Sequence, residues 1–436
     1  MSHLMWGNVD CVELARSYGT PLYVVDEAII RSRCAEAREV FLEKWPGTSV
    51  CYASKAFLTT TMARIIEQEG LGLDVVSGGE LYTALAARFP ASRIVMHGSA
   101  KSERELCAAL THGVGRVVVD GQMELELLAE LARCVDTGKP QDILLRVAPG
   151  VNPHTHSHLV TGHKGSKFGL PVEGDLLENA VAFAMGSSNL NLRGFHFHIG
   201  SQIFENRFHV ESVLLVVELI ERLKNKFGFV TEELNFGGGF GVGEKHKKAL
   251  HSAPGEPHLS LAFFTDPMME ALTTECEARG LKCPSVVIEP GRWIVAEAGI
   301  TLYSVETVKR LPDVTYVAVD GGMPDNPRPS LYHASYECLV ANKIGFPVSE
   351  RVTIAGKCCE TGDILIESVA LPNVERKDVI AVFNTGAYNF SMASGYNRLT
   401  RPAVVLVNDG RADEIVARGA ETDLLLGDSI PARMVV

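Results

Sequence analysis

The chain contains 436 residues, with 41 Lys and Arg against 53 Asp and Glu, so its formal net charge is −12. This acidic balance argues against a general nucleic-acid binder. Hydrophobic residues make up 46% and charged residues 22%, which excludes a disordered chain and allows a large buried core. No apolar run is long enough to span a membrane, and the N-terminal residues carry no recognisable targeting signal. The expected partners are therefore neither nucleic acid nor membrane, and the expected location is the cytoplasm.

Short runs of β-branched residues alternate with longer amphipathic stretches over the first two-thirds of the chain. Eight strands are predicted at residues 49–53, 72–76, 93–97, 116–119, 143–147, 194–199, 233–236 and 286–289. A first helix is predicted at 27–44, and others follow at 58–69, 79–88, 103–112, 124–135, 176–185, 210–226 and 263–279. This count over about 260 residues predicts a (β/α)₈ TIM-like barrel.

The pattern changes near residue 300, where strand-like runs follow one another without long helices. Strands are predicted at 302–308, 315–319, 352–355, 364–369, 379–383 and 403–407. This indicates a second, all-β domain of the sandwich or barrel type. Residues 21–25 precede the barrel and can pair with that domain. The predicted domains are therefore a barrel at 28–287 and a discontinuous β domain at 1–27 and 288–436.

Polar residues follow most of the predicted barrel strands, at the end where such barrels carry their chemistry. They include Lys55, Asp74, His97, His198, Ser201, Glu289 and Arg292. Gly237, Gly238 and Gly239 follow the seventh strand, where converging backbone N–H groups suit a phosphate. A flexible turn is the alternative for this glycine run. Arg292 is a candidate charged partner for the same phosphate.

Lys55 has apolar neighbours on both sides, so we expect its amine to be buried at the barrel mouth with a lowered pKa. A neutral amine is what a Schiff base with an aldehyde requires; a surface lysine is the alternative. Together with the glycine run, the lysine suggests pyridoxal phosphate. Glu289 would then pair with the pyridine nitrogen, and His198 would stack on the ring.

The ten cysteines lack paired C-x-x-C spacing, so they predict mostly reduced core residues, with the pair Cys358-Cys359 in a polar loop. Four histidines, His154, His156, His158 and His163, lie among Pro, Thr, Ser and Gly. No carboxylates accompany them at ligand spacing, so the pattern favours a loop, and no metal is predicted. Residues 243–258 are also predicted to form a surface loop.

Several longer motifs identify a family. They are YASKA at 52–56, LDVVSGGE at 73–80, HFHIGSQ at 196–202, GGGFG at 237–241, EPGR at 289–292, VDGGM at 319–323, RPSLY at 328–332, CETGD at 359–363 and GAY at 386–388. With them the chain resembles the fold-type III, pyridoxal phosphate-dependent decarboxylases over nearly its whole length. The resemblance implies an alanine racemase-like fold, with a TIM-like barrel and a β domain.

The resemblance also implies roles for individual residues. Lys55 would hold pyridoxal 5'-phosphate as a Schiff base, and Cys359 would be the proton donor, supplied by the second subunit of a homodimer with shared active sites. The implied cofactor-binding residues are Lys55, Asp74, His198, Ser201, Gly237, Gly238, Gly239, Glu289, Pro290, Gly291, Arg292 and Tyr388. The implied substrate-binding residues are Arg292, Arg328, Tyr332, Glu360 and Tyr388. Lys167 and Asp363 would face each other across the dimer interface.

Within the family, the chain is similar to members that convert meso-2,6-diaminopimelate to L-lysine and CO₂, the last step of lysine biosynthesis. Arg328 and Tyr332 would recognise the distal carboxylate, which substrates such as ornithine, lysine or arginine lack. Three alternatives remain: a decarboxylase of those amino acids or of a carboxylated polyamine, an amino-acid racemase, and a non-catalytic regulator. A racemase would normally place Arg, not Glu289, at the cofactor nitrogen. Retention of Lys55, Glu289 and Cys359 argues against the regulator.

Overall fold

The computed structural model describes residues 2–135, 138–150, 166–242 and 259–434. The four clustered histidines and the predicted loop at 243–258 lie outside these residues. The chain divides into two compact units, one of Arg31–Ile294 and one of Met1–Ile30 with Val295–Val436. None of the helices in the described residues has the length and apolar character needed to cross a membrane.

The strands of the described residues are numbered in chain order. They are β1 Met5–Trp6, β2 Val9–Asp10, β3 Leu22–Asp26, β4 Thr48–Ala53, β5 Gly72–Val75, β6 Ile94–Met96, β7 Arg116–Val119, β8 Gln141–Ala148, β9 Leu170–Pro171, β10 Leu190–His196, β11 Glu233–Asn235, β12 Ser285–Ile288, β13 Gly299–Arg310, β14 Thr315–Val319, β15 Cys338–Val340, β16 Glu350–Ala355, β17 Ile364–Leu371, β18 Val379–Val382, β19 Ala403–Asn408 and β20 Arg411–Val416.

The α-helices are numbered in the same way. They are α1 Cys11–Tyr18, α2 Glu27–Ala37, α3 Thr60–Gln68, α4 Gly78–Ala86, α5 Glu103–His112, α6 Gln122–Cys134, α7 Asp175–Gly186, α8 Arg207–Phe227, α9 Leu261–Ala278, α10 Arg292–Val295 and α11 Arg328–Tyr332.

The larger unit is a closed barrel of eight parallel strands, which confirms the predicted fold class. Strands β4 to β8 pair in sequence, β10 pairs with β8 and β11, and β12 returns to β4. The short strand β9 pairs with β8 outside this ring. Buried side chains from five of the barrel strands form one apolar cluster: Cys51, Val95, Val118, Leu144 and Val287.

Local signals explain where the barrel helices begin and end. Helix α5 begins with a capping box between Ser102 and Glu105 and ends at Gly113, whose φ of 67° suits a glycine. The predicted helix at 27–44 is wrong in its second half, because α2 ends at Ala37 and a π-helical segment, Arg38–Leu42, follows. This wider turn keeps Phe41 buried, while Arg38 donates to the backbone oxygen of Glu69 at 3.0 Å.

The smaller unit is built around the long strand β13. It pairs antiparallel with β3, β14 and β18, and β3 also pairs in parallel with β19. The N-terminal segment Leu22–Asp26 is therefore an interior, fully buried strand of this sheet. Four strands in this unit were not predicted. β1 and β2 have only two residues each, β15 has only three, and β20 is a largely exposed edge strand with several polar residues.

The burial of His209, in the first turn of α8, predicts that the stability of the protein depends on pH. Its ring stacks on Phe240 with centroids 5.3 Å apart, and neither ring nitrogen has a hydrogen-bond partner among the described residues. Burial lowers the pKa of His209 to about 4. Because the folded-state pKa lies below the unfolded one, the stability from neutral His209 is fully present above the unfolded pKa of about 6.5 and is lost as pH falls through about 4.

We expect this residue alone to cost about 2 kcal/mol of unfolding free energy between pH 8 and pH 5. Urea unfolding of the wild type and of His209→Phe at both pH values measures the difference, since phenylalanine keeps the stacking and removes the titration. An equal loss of stability in both proteins would contradict the interpretation.

Candidate active site

The polar residues predicted at the strand ends come together at the C-terminal end of the barrel. Lys55 lies in a short 3₁₀ turn, Ser54–Ala56, directly after β4. Asp74 lies in β5, and His97 follows β6. His196 ends β10, Gly237 to Gly239 follow β11, Glu289 follows β12 and Arg292 begins α10.

Glu289 is the centre of a buried hydrogen-bond network. Its Oε1 lies 2.6 Å from His97 Nε2 and accepts a hydrogen bond from Asn235 Nδ2 at 2.6 Å. Its Oε2 lies 3.5 Å from His196 Nε2. Asp74 is also buried, with its Oδ1 3.8 Å from His97 Nε2. The carboxylate of Glu289 is therefore held in place by side chains from three other strand ends.

The surroundings of Glu289 keep it ionised. Burial acts to raise its pKa, but electrostatic interactions with His97 and His196 outweigh it and hold the pKa well below the usual value. Burial lowers the pKa of His196 to about 3, and burial followed by the charge of Lys55 lowers that of His198. Burial raises the pKa of Asp74. The site thus favours the ionised form of the Glu289 carboxylate and the neutral forms of the His196 and His198 imidazoles.

The glycine run after β11 is packed so closely that side chains are excluded. A Cβ on Gly238 would lie 2.2 Å from the backbone oxygen of Glu289, and one on Gly239 would lie 2.1 Å from that of Gly200. Gly237 and Gly239 have φ of 64° and 106°, in the region that favours glycine. Because bare backbone lines this loop, the glycine cradle, it leaves room for an anion; phosphate binding there stays a prediction.

Neighbouring polar groups flank the cradle. Arg292 Nη2 donates to Ser201 Oγ at 3.4 Å, and the backbone N–H of Gly238 donates to His198 Nδ1 at 3.3 Å. Pro290 and Gly291, which were also expected to contact the cofactor, are buried. The backbone N–H of Ala53 donates to the oxygen of Pro290 at 3.4 Å. Their visible role is to pack the segment that carries Arg292 against β4.

Lys55 differs from the sequence-based expectation in one respect. The residue is exposed, whereas its neighbours Ala53, Ala56 and Phe57 are buried. The apolar flanking residues therefore point into the protein and leave the lysine on the accessible side of the turn. The prediction of a buried amine is wrong for this structure, although the position at the barrel mouth agrees.

Arg328 and two tyrosines form a second cluster, in the smaller unit. The guanidinium of Arg328 lies 5.1 Å from the ring centre of Tyr332 and 5.4 Å from that of Tyr388. Arg328 is buried, and its Nε has no hydrogen-bond partner among the described residues. Tyr388 has a φ of 68°, an uncommon conformation for a tyrosine. A buried, incompletely satisfied guanidinium favours an anionic ligand.

Cys359 and Glu360 lie on an exposed loop of the same unit. The loop is anchored by Asp363, which is 3% exposed and accepts hydrogen bonds from the backbone N–H groups of Met323 at 2.7 Å and Cys358 at 2.8 Å. The expected interface partner of Asp363, Lys167, is exposed. Of all ten cysteines, only five are buried, so the expectation that most fill the core is wrong.

These residues fit pyridoxal phosphate. A glycine cradle that a Cβ would fill suits the phosphate, and a buried carboxylate with a lowered pKa suits a protonated pyridine nitrogen. The ligand-type atoms of His97, His196 and Glu289 lie within 4.8 Å of one another, a spacing also compatible with a metal ion. However, Glu289 Oε1 is already engaged by two hydrogen-bonding groups, which favours a carboxylate held for another partner.

Sequence reasoning gave no role to Asn235, His97 or His196, although all three stand at strand ends. The signal was present, because polar residues at the C-terminal ends of barrel strands tend to be functional. Their contact with Glu289, however, depends on which strand ends meet across the closed barrel. His97 and Glu289 are 192 residues apart in the sequence.

Comparisons with known proteins identify the family of the chain. A family model described as "Pyridoxal-dependent decarboxylase, pyridoxal binding domain" matches residues 27–296. The chain is 46% identical over 424 residues to the diaminopimelate decarboxylase of Bacillus subtilis (strain 168), which covers 97% of this chain and 94% of that protein. It is 44% identical to that of Bacillus methanolicus over 95% of this chain and 94% of that protein.

A solved structure of diaminopimelate decarboxylase from M. jannaschii, in co-complex with L-lysine, has a TM-score of 0.88 at 33% identity and covers 98% of this chain and 96% of that one. A second, from Helicobacter pylori and complexed with L-lysine, has a TM-score of 0.84 at 30% identity and covers 95% of this chain and 98% of that one. The chain belongs to the pyridoxal-dependent decarboxylase family. Within that family it groups with the diaminopimelate decarboxylases.

Proposed function

We propose that this protein decarboxylates meso-2,6-diaminopimelate to L-lysine and CO₂, the last step of lysine biosynthesis, with pyridoxal 5'-phosphate as cofactor. The observation that carries the substrate assignment is Arg328, a buried guanidinium between two tyrosine rings with an Nε that lacks an acceptor among the described residues. Such a group suits a substrate with a second carboxylate. Ornithine and lysine would leave it unpaired, which is costly.

When bound, pyridoxal phosphate supplies an acceptor for the electrons that remain when CO₂ leaves. In our proposal, Lys55 holds the cofactor covalently and His198 packs on its ring. Glu289, whose pKa is held well below its usual value, would stay ionised and would hold a proton at the pyridine nitrogen. The glycine cradle would hold the phosphate, and Ser201, Arg292 and Tyr388 would complete its surroundings.

At the substrate, Arg292, Arg328 and Tyr332 would bind the distal carboxylate, with Tyr388 beside them. Glu360 would hold the distal ammonium through its carboxylate. Recognition of two opposite charges at fixed positions is what discriminates diaminopimelate from singly charged side chains. The exposed position of Glu360 and the cluster around Arg328 support this division of roles.

We further propose a homodimer in which Cys359 and Glu360 serve the active site of the partner subunit. Both residues are exposed on the single chain, on a loop anchored through Asp363. Cys359 would donate the proton to Cα after CO₂ has left, and would regain it from solvent. The proposed location is the cytoplasm, where ten free cysteines stay reduced.

The test of the reaction is CO₂ release by the purified protein reconstituted with pyridoxal phosphate. We expect release from meso-2,6-diaminopimelate with equimolar formation of lysine, and none without cofactor. Release from L-ornithine or L-lysine at a comparable rate would contradict the substrate assignment in favour of the related amino-acid decarboxylases.

The role of Arg328 predicts a loss of substrate recognition in Arg328→Met. Methionine can pack between Tyr332 and Tyr388 but offers no charge to a carboxylate. We expect kcat/KM for meso-2,6-diaminopimelate to fall by about 100- to 1,000-fold, the effect of removing one partner of a buried ion pair. Steady-state kinetics measure this, and thermal unfolding confirms the fold. An unchanged kcat/KM would refute the assignment of Arg328.

A further inference from the structure

Asn235 occupies a position between the two ends of the proposed cofactor site. It ends strand β11 and is fully buried. Its side-chain nitrogen Nδ2 donates to Glu289 Oε1 at 2.6 Å, while its side-chain oxygen Oδ1 accepts from the backbone N–H of Gly237 at 2.9 Å. One amide group therefore joins the carboxylate assigned to the pyridine nitrogen to the first residue of the glycine cradle.

We propose that Asn235 is a positioning residue that couples Glu289, the proposed partner of the pyridine nitrogen, to the glycine cradle. His97, in contrast, positions Glu289 but not the cradle. This inference rests on the proposed function, because it gives meaning to Glu289 and the cradle only as cofactor ligands. It adds a residue and a coupling that the recognition motifs do not include.

The chemistry at this position restricts the residue type. The Glu289 carboxylate only accepts hydrogen bonds, and the Gly237 amide only donates one, so the group between them must donate on one side and accept on the other. Asparagine does both within a short side chain. Aspartate would place a second carboxylate against Glu289, and alanine would remove the hydrogen bonds to both Glu289 and Gly237.

His97 makes the second short contact to Glu289, with Nε2 2.6 Å from the same Oε1. Since the carboxylate is an acceptor, this nitrogen carries the hydrogen. Both donors converge on Oε1, and Oε2 has only the longer contact of 3.5 Å to His196 Nε2. Oε2 is thus the less engaged oxygen, which the proposal assigns to the pyridine nitrogen.

A second backbone contact makes the coupling direct. The backbone N–H of Glu289 donates to the oxygen of Gly237 at 2.7 Å, and a Cβ on Gly238 would lie 2.2 Å from the oxygen of Glu289. The backbone of the cradle and the backbone of Glu289 therefore lie against each other. A displacement of Asn235 therefore affects both Glu289 and the glycine cradle, whereas a change at His97 affects Glu289 and not the cradle.

Two measurements distinguish an effect on the glycine cradle from an effect on Glu289. The ratio of affinities for pyridoxal phosphate and for pyridoxal, which lacks the phosphate, reports the cradle. The pH dependence of the visible absorbance of the bound cofactor reports the environment of its ring nitrogen. Neither readout depends on turnover, so both can be measured on variants that have lost activity.

We expect Asn235→Ala to lower both the affinity for pyridoxal phosphate, by about tenfold or more, and its preference over pyridoxal. Asn235→Asp retains the acceptor for Gly237 and so retains the preference for pyridoxal phosphate over pyridoxal. The absorbance of the cofactor bound to it shows an additional ionisation, because two adjacent carboxyl groups share one proton.

His97→Leu alters the pH dependence of the cofactor absorbance without changing the preference for pyridoxal phosphate. His97→Gln, which restores a donor, recovers part of the wild-type profile.

Asn225→Asp and His112→Gln are matched controls, because both residues are exposed on helices. Circular dichroism checks the fold of each variant. If Asn235→Ala does not fold, Asn235→Asp and the two His97 variants carry the test.

Wild-type pH profiles of the cofactor absorbance in Asn235→Asp and both His97 variants would overturn the inference. Glu289→Gln separates the two levels: a wild-type absorbance profile there would refute the proposed role of Glu289 itself, whereas an altered profile with unaffected Asn235 and His97 variants would refute only their positioning role.

Discussion

Lys55→Ala is expected to abolish CO₂ release from meso-2,6-diaminopimelate, with a decrease in kcat of about 10⁴-fold or more. The reason is chemical, because the amine is the group that would attach the cofactor covalently and be displaced by the substrate amine. The turn Ser54–Ala56 holds this lysine at the end of β4, and its apolar neighbours are packed into the protein. The assay is CO₂ release at saturating cofactor and substrate.

The matched control is Lys224→Ala, which removes an exposed lysine from helix α8. It should retain activity, so a general effect of losing a lysine is excluded. Borohydride reduction of the wild-type holoprotein followed by peptide mapping should place the cofactor on the peptide that contains Lys55. Substantial activity in Lys55→Ala would show that the assignment of the covalent lysine is wrong.

Mixing two inactive variants is expected to restore activity. Cys359→Ala alone should lose about 100-fold or more in kcat, since proton transfer by a positioned side chain contributes on that order. Lys55→Ala lacks the covalent lysine but retains Cys359. If each active site takes Lys55 from one subunit and Cys359 from the other, a mixed dimer contains one intact site.

Random exchange between equal amounts of the two variants should yield about one quarter of wild-type activity, because about half of the dimers are mixed and each has one of two sites intact. The control is the double variant Lys55→Ala/Cys359→Ala mixed with wild type, which gives mixed dimers without a composite intact site. Activity that stays at the level of the separate variants after subunit exchange has been demonstrated would argue against shared sites.

The barrel was predictable because its signals are local. Strand β7, Arg116–Val119, is a short run of β-branched residues, and helix α5 is bounded by Ser102 and Gly113, which cap it. The π-helical segment after α2 was not predictable, because it accompanies a contact between Arg38 and Glu69, 31 residues further along. Edge strand β20 was missed because its mostly polar residues lack an apolar alternation.

The site was predictable in its residue types and less so in its contacts. Glu289 and the glycine cradle stand at strand ends, which is a sequence-level signal. The bonds that hold Glu289 come from residues 192 and 54 positions away, so they follow from closure of the barrel. The exposure of Lys55 was mispredicted, because apolar neighbours in sequence do not by themselves bury a residue that lies in a turn after a barrel strand.

The most direct test of the whole account is a competition experiment with the wild-type holoprotein. Equal concentrations of isotopically labelled meso-2,6-diaminopimelate, unlabelled L-lysine and unlabelled L-ornithine are incubated together, and the products are separated by mass. We expect conversion of labelled diaminopimelate to labelled L-lysine with matching CO₂, and neither cadaverine nor putrescine. Formation of either diamine at a rate similar to that of lysine, or recovery of all three substrates unchanged, would contradict it.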